Sequence, residues 1–167
     1  MGLLKKFDFW LASLIILLTA VLVVGRALNW YNLVFFVGPF RVSHWLVLIG
    51  STYVAIATPA FSILKKRFQA RYESLVRFHV IGNLSAFLLV TIHFTSQATR
   101  SAASYPQLGT GLALYIVMLL LVASGFLYRF RIITRLNLGT NRFVHVGVAL
   151  SFYILIGIHV LHGLGIF

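Results

Sequence analysis

Cysteine is absent from the 167 residues, and Asp and Glu together number two. Without cysteine the chain can form no disulfide, no thiolate ligation of haem and no iron–sulfur cluster, and its redox compartment cannot be read from thiols. With only Asp8 and Glu73, no carboxylate pair exists for hydrolytic acid–base work or for an oxygen cage around calcium or magnesium. The G-x-G-x-x-G fingerprint of dinucleotide binding is missing, as is the C-x-x-C-H site of covalent haem attachment.

What remains is apolar. Hydrophobic residues make up 60% of the sequence and charged ones 10%, with a mean hydropathy of +0.98. A soluble domain is nearer half apolar and a quarter charged. The composition predicts an all-α integral membrane protein: one transmembrane domain over 1–167, a five-helix bundle with spans at about 9–25, 42–64, 74–96, 109–130 and 143–166. The net charge of +12 sits in short loops between spans, which points to topology and lipid headgroups and not to nucleic acid. Residues 1–8 read as a short tail. Arg26 to Arg41 is an aromatic-rich connection ending near Gly38-Pro39, expected along the membrane interface. Pro59 falls inside the second span, Thr95 to Leu108 reads as a polar loop, and Gly139 as a helix stop and restart.

Basic residues also assign sides. The N-terminal tail and the segments joining spans two to three and four to five, together with Arg77 and Arg129 at the adjoining span ends, hold eleven of the fourteen Lys and Arg; Arg26, Arg41 and Arg100 are the rest. The positive-inside rule then puts the N-terminus inside and the C-terminus outside, and the cell (plasma) membrane is the expected location.

Histidine carries the chemistry. His79 and His93 are fourteen residues apart in the third span, and His145 and His159 fourteen apart in the fifth. Fourteen helical steps return a side chain to within about 40° of its starting face and climb about 21 Å. Each span thus offers two imidazoles on one face at two depths, and a neutral imidazole is a strong iron ligand. The two spans run in the same direction, so equal depth pairs His79 with His145 near the inner face and His93 with His159 near the outer. Two such pairs would hold two b-type haems. Small residues lie where a flat macrocycle needs clearance: Gly82 and Ser85 after His79, Gly147 after His145, Gly157 before His159. Arg77 and Arg142 are placed for the propionates of an inner haem, Arg41 and Arg100 for those of an outer one. His44 suits a capping or interfacial role at the start of the second span. His162, one turn past His159, could meet a quinone carbonyl, a propionate or water. Together with the rings of Trp30, Tyr31 and Trp45, these two histidines outline a possible quinone site.

The segments "RFHVIGNLSAFLLVTIHF" and "NRFVHVGVALSFYILIGIHVLHG", with "GTGLALYIVMLLLVASGFLYRFR" between them, resemble the ferric reductase-like transmembrane domain over about residues 74–167. The same interval is similar to that in the haem core of respiratory cytochrome b. The resemblance implies two haems held by His79, His93, His145 and His159. Members of the first family commonly have six spans, and many add flavin and nicotinamide domains; five spans are read here. The expected function is electron transfer across a membrane through two bis-histidine haems, between a quinone or redox partner protein and an acceptor on the other side. An anchor subunit of a larger oxidoreductase is one alternative. A histidine-based proton or ion transporter is another, and it would call for acidic partners within the spans, where none is expected.

Overall fold

The computed structural model describes residues 3–33, 35–100, 109–132 and 137–166, without the side chains of residues 3–5 and 138. Arg135 and the 101–108 part of the expected outer loop lie outside the described residues. Five helices are long and apolar enough to cross a membrane: α1 (Leu3–Ala27), α2 (Val42–Arg67), α3 (Tyr72–Ala98), α4 (Gly109–Phe130) and α5 (Leu138–Gly163). The contacts divide the chain into two compact units, Met1–Arg100 and Ser101–Phe167. Each is described by itself.

In the first unit α3 packs against both α1 and α2. α1 begins six residues before the expected span and takes in Asp8, so residues 3–8 are helix and not tail. Asp8 is buried, at 3% exposure, with its carboxylate 2.8 Å from Nε of Arg77 on α3. The expectation that no span carries an acid therefore fails at Asp8, and Glu73 too lies in a membrane-length helix, exposed in the first turn of α3. A partner supplied two helices later is what lets a carboxylate stay in an apolar bundle.

The aromatic connection after α1 has more structure than its composition suggested. Asn29, at φ +58°, closes α1 in a Schellman turn: Trp30 N–H donates to the Gly25 carbonyl and Asn29 N–H to that of Arg26. The Trp30 ring then lies over Gly25, where a Cβ would stand only 3.0 Å from it. Further on, β1 (Phe36–Val37) and β2 (Phe40–Arg41) form a two-stranded antiparallel ribbon. Gly38, at φ +62°, takes the first central position of its two-residue turn, where a primed hairpin turn needs a left-handed residue. Trp45 Nε1 donates to the Val37 carbonyl and its ring meets Phe40 edge-on, which ties the ribbon to the first turn of α2.

α2 runs on through Lys65, Lys66 and Arg67, which complement the negative end of the helix. A 3₁₀ turn, Gln69–Arg71, leads into α3. α3 continues to Ala98, so Thr95 to Ala98 are helical and not loop. Thr91 and Thr95 are buried there because each hydroxyl donates to the carbonyl one turn back.

The second unit is the α4–α5 pair. α4 has the expected bounds, and α5 starts five residues early. Its N-cap is Asn137, whose Oδ1 accepts from Gly139 N–H, so Gly139 lies inside the first turn and is no helix stop. A second Schellman turn, centred on Gly165 at φ +69°, closes α5.

Candidate functional site

The spacing argument required the histidines of each pair to share one uninterrupted helix, and they do. His79 and His145 each stand seven positions into their helices, and His93 and His159 lie near the far ends. All four are half-buried.

On α5, Nδ1 of His145 is 3.1 Å from the Ser124 hydroxyl of α4. That hydroxyl also lies 3.1 Å from the Leu121 carbonyl. The one hydroxyl proton can go to the Leu121 carbonyl, and the oxygen then accepts from His145 Nδ1–H. In that arrangement the neutral imidazole keeps its lone pair on Nε2, the tautomer a metal ligand needs. Gly125 makes room for this ring: a Cβ there would stand 2.9 Å from His145 Cε1. His159 is held likewise, with Nδ1 3.1 Å from the Thr110 hydroxyl near the start of α4. Gly147 and Gly157 have nothing within 4 Å of a Cβ position among the described residues.

On α3, His79 stacks on Phe61 of α2, with ring centroids 4.4 Å apart. Its Nδ1 is 3.1 Å from the Asn83 amide, one turn on. The Asn83 amide also approaches the Thr58 hydroxyl at 3.5 Å, while its Oδ1 is buried without a hydrogen-bond partner. A half-turn of that amide about Cβ–Cγ brings Oδ1 onto His79 Nδ1–H and again places the lone pair on Nε2. Asn83 stands four residues after His79, and that i+4 offset is the signal in the sequence that could have found it.

Three expectations change. Gly82 gives no clearance for a macrocycle, because Tyr53 of α2 fills that space and donates its hydroxyl to the Phe78 carbonyl. Arg77 is engaged by Asp8, and Arg142 is exposed three residues before His145. His44 does not cap α2, whose N-cap Arg41 makes no side-chain capping bond. Its ring meets His93 edge-on at 5.1 Å, and its Nδ1 is buried without a hydrogen-bond partner among the described residues. The polar handles of Tyr31 and Trp45 are spent on the Leu22 and Val37 carbonyls, so they offer a ligand ring faces only. His162 is exposed at the end of α5.

On α5 the donors fit haem iron: His145 and His159 each have a hydroxyl at Nδ1, and the sequence has no cysteine to compete for the metal. No family model, no curated protein and no solved structure matches this chain.

Proposed function

We propose that this integral membrane protein carries single electrons across the bilayer, with His79 and His145 holding one b-type haem and His93 and His159 a second. The observation that carries the reading is the pair of equal fourteen-residue histidine intervals, each on one unbroken membrane-length helix. The hydroxyls at Nδ1 of His145 and His159 support it, since each can accept from Nδ1–H and so leave Nε2 for the metal. Bound haem would supply a one-electron carrier, and two histidines on each iron leave no open position for oxygen chemistry.

The chain's own residues do the rest. They orient the imidazoles, exclude water with apolar helices, and supply Arg142 and Arg77 near one ligand pair and Arg41 and Arg100 near the other for propionates or lipid phosphates. Arg77 can serve only while shared with Asp8. The N-terminus lies inside and the C-terminus outside, in the cell membrane, surrounded by lipid. Electrons exchange with a quinone or a redox partner protein, for which His44 in the first unit and His162 in the second are separate candidate contacts.

The test is a reduced-minus-oxidised spectrum with haem quantitation on the purified, haem-loaded chain. Two low-spin b-type haems per chain are expected, and one or none defeats the reading.

A further inference from the structure

α4 carries no histidine, yet His145 and His159 of α5 both hydrogen-bond to it. Its only Ser and Thr are Thr110 and Ser124, and each sits 3.1 Å from a histidine Nδ1. They too are fourteen residues apart. Moving fourteen positions up α4 and fourteen down α5 converts the Ser124–His145 pair into the Thr110–His159 pair. The two helices pack against each other, so one antiparallel register serves both contacts.

We infer that α4 is the positioning helix for both α5 ligands: Ser124 and Thr110 accept from the Nδ1–H of His145 and His159 and thereby set ring orientation and the reduction potential of each haem. This rests on the haem-binding reading above. Ser124 accepts from His145 with its own proton placed on the Leu121 carbonyl. An iron-bound Nε2 forces the proton of His159 onto Nδ1, so Thr110 must accept as well. An acceptor on Nδ1–H makes the imidazole more electron-rich, which favours ferric over ferrous iron and lowers the potential. Gly125 belongs to the same device, since it lets the His145 ring lie against α4 at the level of Ser124.

The experiment is a redox titration with low-spin electron paramagnetic resonance on the full, haem-loaded chain. His145→Ala and His159→Ala identify which signal belongs to which ligand. Ser124→Ala should raise only the potential of the haem that His145→Ala removes, by about tenfold in the ferric-to-ferrous ratio, or about 59 mV for one electron. Thr110→Val should act the same way on the other haem alone. Ser124→Thr and Thr110→Ser restore the hydroxyl and should restore the potential. If a variant loses its own haem instead, rescue by the hydroxyl-bearing variant supports the inference, and failure of that rescue overturns it. Both potentials unchanged with both haems bound, or both shifted together, also overturns it while leaving ligation intact. A parent chain without haem overturns the ligation reading itself.

Discussion

A histidine in lipid is defined by what its second nitrogen does, and Asn83 shows how small the decisive group can be. Its amide lies between His79 and Thr58, two polar groups that would otherwise face hydrocarbon. Asn83→Leu should weaken retention of the haem that His79→Ala removes by about 10–100-fold, measured as haem loss to an apo-globin scavenger. Asn83→Asp keeps and strengthens the acceptor, so the same haem should stay bound with a lower potential. Equal retention in parent and Asn83→Leu would mean the amide serves packing alone. The ligand histidines were legible because 14 is close to a multiple of 3.6, a property of sequence. Their partners were not, because a serine or asparagine in an apolar run looks the same whether it bonds its own backbone, as Ser85 does, or a ring on another helix, as Ser124 does.

At the level of elements, hydropathy found all five spans and both ends of α4 but misplaced ends of the other four. Helices end where backbone groups find partners, and hydropathy does not report that: Asn137 starts α5 and Asn29 stops α1 through local hydrogen bonds. The ribbon at 36–41 escaped notice because two-residue strands have no period to read. Charge inside α1 escaped too, because the partner of Asp8 lies 69 residues away. Asp8→Ala leaves the Arg77 guanidinium without that carboxylate and should cost about 1–3 kcal/mol in the docking of α1 on α3. A thermal or denaturant titration in detergent checks this, and Arg77→Met in the same chain should recover part of the loss, since two apolar ends need no pairing. No recovery in the double variant would show that the two residues act separately.

For the whole molecule, the charge bias predicts sidedness. Membrane-impermeant labels should reach Lys65 and Lys66 from the inside, and a cysteine placed in the 99–108 segment from the outside. The reverse pattern would exchange which haem faces which compartment. The ion pair between α1 and α3 has one more consequence, for biogenesis. Membrane helices enter the bilayer in the order of their synthesis, so the Asp8 carboxylate reaches the membrane before Arg77 has left the ribosome. Until then α1 must hold Asp8 protonated or ride higher, toward the headgroups. The first helix of this protein therefore settles to its final depth only when the third arrives, which makes the order of insertion part of the information that the sequence encodes.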